Sequence, residues 1–203
     1  VVGHHNPHRL ATWLRAAERS CAPGDFPIYD RENLEAALPE LRSLTVEDPV
    51  QAIQKAQALL LDCGVALTLV PAVPGLGTHG ATRWLQGHPL IQLSDLWKCD
   101  DQLWFTLFHE IAHVLLHESN GLYLNNDHDN LEKEANAYAS RFLVPEDYED
   151  RLPRHRSLDE VKALAQELGI APSIVLGQAQ HLTGDYAWGH CLKRKVTITG
   201  LAA

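Results

Sequence analysis

The 203-residue sequence predicts an α+β fold: a small twisted sheet of about three strands packed on one central helix, with further helices at both ends. Three observations carry that expectation. Apolar residues recur at helical spacing near both ends of the chain, three short strand-like segments fall together between 65 and 93, and the segment 100–117 is apolar on nearly every face.

Residues 8–19 place apolar side chains three and four apart, as an amphipathic helix does, and Pro23-Gly24 then turns the chain. Helical patterns recur over 31–42 and from Pro49 to Leu61, the latter with Asp48 as N-cap, Pro49 at the first helical position and Gly64 at its end. Residues 65–71 are β-branched and apolar, a strand by pattern, which Gly75-Leu76-Gly77 breaks. Two more strands, 81–86 and 90–93, flank Gly87-His88-Pro89, a hairpin turn. From Asp100-Asp101, a pair suited to capping, a buried central helix runs to His117. A polar loop covers 119–130, a second helix runs from Leu131 to Phe142 and stops before Pro145, and two shorter helices follow over 157–168 and 172–182 with Gly169 as C-cap. The expected organisation is a helical amino-terminal segment over 1–50, a core over 51–155, and a helix-turn-helix-like segment and tail over 156–203 packed on that core.

An apolar fraction of 45% supports a genuine core. The formal charge of −9 argues against a phosphate-binding surface, which draws its affinity from clustered Lys and Arg. The dense basic run Lys193-Arg194-Lys195 reads as a solvated strand flank. Because 157–182 scans as two helices around a turn, DNA binding has to be weighed; the acidic balance and the few basic residues on the second helix oppose it. Cys21, Cys63, Cys99 and Cys191 form no CxxC pair and are expected as reduced thiols. No signal-peptide pattern and no apolar run of membrane-spanning length is present, so a cytoplasmic protein without membrane contact is expected. The chain lacks methionine and opens on Val1, which suggests a fragment or a removed initiator.

The segment His109-Glu110-Ile111-Ala112-His113 carries the chemistry. Residues four apart share a helix face, so both imidazoles can meet one ion while Glu110 stands beside it. Zinc takes such nitrogen and carboxylate donors at about 2 Å, and a catalytic site leaves one position to water. Two histidines and a glutamate in an otherwise apolar helix are costly to bury without a partner, and a metal supplies one. Candidates for the third protein donor are His117, Asp127, His128, Asp129, Glu132 and Glu134. His117 lies about 12 Å along the axis from His109, too far to share one ion with it, and is expected in a supporting role. The metzincin extension needs a glycine and a histidine where Leu116 and Ser119 stand, which excludes it. Glu132 opens the next helix, where a gluzincin takes its carboxylate, and Asn136 follows four residues later at the place of the residue that orients a metal-bound histidine. Glu132 is therefore preferred over Glu134.

These residues look like the ImmA/IrrE family of zinc metallopeptidases. The second helix, Glu132-Lys133-Glu134-Ala135-Asn136-Ala137-Tyr138-Ala139 through Phe142-Leu143-Val144-Pro145, is similar to the family's E-x-E/Q-A-N/D-x-F/Y-A pattern with its hydrophobic-proline exit. The approach Trp104-Phe105-Thr106-Leu107-Phe108-His109-Glu110 is similar too, and the resemblance covers roughly 60–182. The stretch Leu164 to Gly177 resembles members associated with HigA-type antidotes. The resemblance implies Zn2+ held by His109, His113 and Glu132, Glu110 as general base, and a protein substrate of the helix-turn-helix repressor or toxin–antitoxin type, with a part in stress response and transcription regulation. Two other readings stand beside this one: a catalytically silent module that holds such a partner, and a DNA-binding regulator. A strand around Ala81–Gln86 would align substrate by edge pairing. Tyr123, His128, His155 and Tyr138 are the candidates for a donor to the carbonyl oxygen.

Overall fold

A computed structural model describes residues 6–21, 27–96, 98–117, 122–124 and 130–198. The helices are α1 (Pro7–Ser20), α2 (Arg31–Ser43), α3 (Pro49–Asp62), α4 (Asp100–Leu116), α5 (Asn130–Leu143), α6 (Leu158–Leu168) and α7 (Pro172–Thr183). The strands are β1 (Ala66–Leu69), β2 (Gly80–Leu85), β3 (His88–Leu93) and β4 (Leu122–Leu124), in the order β1-β3-β2-β4. The fold is α+β, as the sequence predicts. To the three expected strands it adds β4, a three-residue piece of the segment read as loop, too short to show a period of two in sequence.

Side chains alternate across the sheet and divide it between two cores. Ala66, Ala81 and Leu90 turn to Trp13 and Ala17 of α1, while Leu67, Ile91 and Leu93 turn to Trp104, Leu107, Phe108 and Ile111 of α4. The second core continues into Leu34, Leu38 and Leu41 of α2, Ile53 of α3, and Leu164 and Val175 of α6 and α7. The β2–β3 turn is the two residues Gln86 and Gly87, both at positive φ (50° and 89°), the requirement of the tight hairpin turn that matches strand twist. β3 therefore starts at His88, inside the tripeptide expected to turn.

Asp48 caps α3 through Val50 N and Gln51 N, and Gly169 ends α6 in the left-handed region, both as expected. The start of α4 differs. Cys99 occupies the N-cap position without a side-chain cap, and Asp100 and Asp101 are buried instead of capping. Their partners come from the basic run at the other end of the chain. Arg194 Nε donates to Asp100 Oδ2 at 2.7 Å, its backbone N donates to Asp100 Oδ1 at 2.9 Å, and its other guanidinium nitrogens donate to the carbonyls of Thr45, Val46 and Glu47. Lys193 Nζ donates to Asp101 Oδ2 at 2.7 Å. So Lys193 and Arg194 are not a solvated flank, as read from sequence, but a clamp on the first turn of the central helix; Lys195 alone is exposed.

α7 is committed to packing against α4. Ser173 to Leu176, Ala179 and Gln180 are buried, Ser173 Oγ donates to Asp100 Oδ2, and Gln180 donates to the Trp188 carbonyl. No described helix is long and apolar enough to cross a membrane, and all four cysteines are free thiols.

Candidate metal centre

α4 is surrounded: among its residues Leu103, Leu107, Ile111, Val114 and Leu115 are all buried, so its polar face has nowhere to go but inward. α5 lies against it through a face with buried Ala135, Ala139 and Leu143, the small residues letting the two helices approach closely. That approach brings Glu132 to His109 and His113. The Nε2 atoms of the two histidines are 3.1 Å apart, Glu132 Oε2 is 3.2 Å from His109 Nε2, and Oε1 is 3.1 Å from His113 Nε2. Their residues are 2%, 1% and 5% exposed.

Two imidazole nitrogens and a carboxylate bound tetrahedrally at about 2.0–2.1 Å would stand about 3.3 Å apart, close to what the three side chains already show. Among the described residues this is the cluster whose donor atoms fit a metal ion. Its supports set the ring tautomers. Asn136 Oδ1, 2.9 Å from His109 Nδ1, accepts that N–H and turns the Nε2 lone pair toward the cluster. His113 Nδ1 lies 2.8 Å from Nδ1 of His117; donation from His113 leaves its own Nε2 lone pair facing Glu132. His117 then carries its proton on Nε2, 3.4 Å from Glu134 Oε2 and outside hydrogen-bond geometry. His117 and Glu134, two of the sequence's donor candidates, therefore form an outer arm behind His113. Asp127, His128 and Asp129 lie outside the described residues.

Electrostatics follow the same pattern. Burial works against ionisation of Glu132, but the side chains of His109 and His113 beside it outweigh that and hold the carboxyl down at about 2. Burial also pushes His113 down, keeping it the neutral donor a metal requires, whereas for His109 burial is overcome by Glu132 and Glu110 and its pKa rises. The negative field that favours a proton there favours any cation. Glu110 is 1% exposed and pushed up to about 7, chiefly by burial, against the opposing pull of His109 and Thr82.

β4 lies on β2 over Ala81–Arg83, so the edge pairing expected of 81–86 is already taken across those residues, and the sheet margin beside α4 belongs to β4. Tyr123 of β4 stacks on His113 with centroids 4.7 Å apart. Of the other described donor candidates, Tyr138 stacks on Phe142 and His155 is exposed and paired with Glu160, so neither faces the cluster through those contacts. A groove of about 670 Å³ runs along β1 at the opposite margin of the sheet, but its lining, including Val50, Leu61 and Leu69, offers neither the three donors nor Glu110. Sequence reasoning missed Gly80 and Thr82, which meet Glu110 from β2; nothing marks a glycine or a threonine in a strand as facing a helix carboxylate.

A His-Glu-x-x-His helix whose imidazoles meet a carboxylate from the next helix, with an amide behind the first histidine, has the gluzincin arrangement. The model of the peptidase M78 family, described as the IrrE N-terminal-like domain, matches residues 72–176, and the chain belongs to this metallopeptidase family. No curated protein matches the chain. The match begins ahead of β2 and ends inside α7, so it takes in every residue of the cluster and of its supports.

Proposed function

We propose that the protein is a zinc-dependent endopeptidase that hydrolyses a peptide bond in a protein substrate. The observation that carries this reading is the convergence of His109, His113 and Glu132 at 3.1–3.2 Å beside a buried Glu110. His109, His113 and Glu132 hold the ion, with Asn136 and His117 orienting the two rings. When bound, zinc polarises the scissile carbonyl and makes a water acidic enough to attack at neutral pH. Glu110 takes the proton from the attacking water at a carboxylate oxygen and returns it to the departing amine nitrogen. The surrounding apolar side chains of α4 keep bulk water from this carboxylate, which strengthens its interactions. The family resemblance supports a helix-turn-helix repressor or a toxin–antitoxin partner as the substrate, and on that reading the reaction is cytoplasmic and belongs to stress-responsive transcription.

The test pairs metal content with cleavage of a proteome-derived peptide library read by mass spectrometry. The zinc-loaded chain cleaves; His113→Ala loses both zinc and cleavage; Glu110→Gln keeps zinc and loses at least about a hundredfold in rate. Equal zinc in wild type and His113→Ala removes the centre from the reading. Zinc bound without turnover, or turnover indifferent to Glu110→Gln, leaves a binding module in place of a peptidase.

A further inference from the structure

Glu110 is held from outside its own helix. Gly80 and Thr82 are alternate residues of β2 and so share the face turned to α4. The Thr82 hydroxyl lies 2.7 Å from Glu110 Oε2 and 3.1 Å from the Glu110 carbonyl oxygen, and its single proton goes to the nearer, charged acceptor. At Gly80 the backbone is in a conformation any residue adopts, so flexibility does not explain the glycine. Space does. A Cβ there would run into Glu110 Oε1, and would stand 2.9 Å from Glu110 Cδ and 2.7 Å from Thr106 Cγ2. With Oε2 engaged by Thr82, Oε1 has no hydrogen-bond partner among the described residues, although it is buried.

We propose that Gly80 and Thr82 form a socket on β2 that fixes the Glu110 carboxylate in one orientation, with Thr82 as its positioning residue and Oε1 left as the proton acceptor. This rests on the reading of Glu110 as the base. The chemical logic is division of labour between two oxygens. A carboxylate free to rotate presents either oxygen at a range of angles, whereas one tied at Oε2 to a strand paired on both sides presents Oε1 in a single place, and misplacement of a reacting group by about 1 Å costs on the order of a hundredfold in rate. The notch at Gly80 lets the carboxylate reach the strand at all.

The experiment uses the full zinc-loaded chain and the best-cleaved peptide of the library above. Thr82→Val, which keeps the shape and removes the hydroxyl, lowers kcat by roughly ten- to a hundredfold with KM within about twofold and zinc per chain unchanged. Thr82→Ser restores kcat to within about threefold of wild type, and Gly80→Ala lowers it as Thr82→Val does. An activity-free readout accompanies these: in a double-mutant cycle of Thr82→Val and Glu110→Ala on urea unfolding, the two effects fail to add by at least about fivefold in the unfolding constant. Additive effects overturn the proposal, as does a Val variant that turns over like wild type, a loss appearing in KM or zinc content, or a Ser variant that rescues nothing. Coupling in the cycle together with an inactive wild type supports the socket and sinks the peptidase reading, so the two failures are distinguishable.

Discussion

Arg194→Ala should destabilise the protein by about 2–3 kcal/mol although the residue lies far from the metal centre in sequence. The guanidinium is the charge partner of Asp100, whose side chain is fully buried, and it also serves the carbonyls of Thr45, Val46 and Glu47. Removing one member of a buried ion pair costs about 3–5 kcal/mol, because the remaining charge is stranded. Two features reduce that figure. The Arg194 side chain is 34% exposed, so water enters when it is removed, and Asp100 keeps the Ser173 hydroxyl and the backbone N of residue 194. For a chain of this size about 2–3 kcal/mol corresponds to a fall in Tm of roughly 5–10 °C. Differential scanning calorimetry of the full chain measures it, with Lys195→Ala as the control. Lys195 is exposed next door, and its loss should stay within about 0.5 kcal/mol. Arg194→Lys keeps the charge but cannot span Asp100 and three carbonyls, and falls between. A Tm change under about 2 °C for Arg194→Ala, or an equal change for Lys195→Ala, would refute the clamp.

Two more outcomes follow from the supports of the site. Arg42 donates to the Leu143 carbonyl at 2.9 and 3.2 Å and to the Leu168 carbonyl at 2.8 Å, closing the ends of α5 and α6 together, so Arg42→Ala should lower stability by about 2 kcal/mol in urea unfolding; a midpoint equal to wild type contradicts this role. Asn136→Ala should weaken zinc binding roughly 10–100-fold in chelator competition while Asn136→Asp retains most of it, because the acceptor for His109 Nδ1–H is what matters; unchanged affinity in the Ala variant removes Asn136 from the centre.

The elements that the sequence shows clearly are those in which local chemistry decides. α3 announces its start with Asp48 and Pro49, α6 its end with Gly169, and α4 its burial by apolar residues on all sides. The three candidate donors are legible for the same reason: a spacing of four within α4 and a carboxylate at the head of α5 are properties of single helices. β4 escapes because three residues carry no period and its pairing with Ala81–Arg83 is long-range. Asp100 and Asp101 look like caps, since acidic residues before a helix usually are, and become buried anions only because Lys193 and Arg194 arrive from the far end of the chain.

By itself the sequence determined the α+β class, the central helix and the set His109, Glu110, His113, Glu132 and Asn136, because helical periodicity and residue chemistry act over a few neighbouring positions. Only the tertiary structure decided how that set is held. Glu134 came beside His117 behind His113, Gly80 and Thr82 came against Glu110, and the basic tail closed on the start of α4, each through contacts between residues 17 to 94 positions apart that no local pattern encodes.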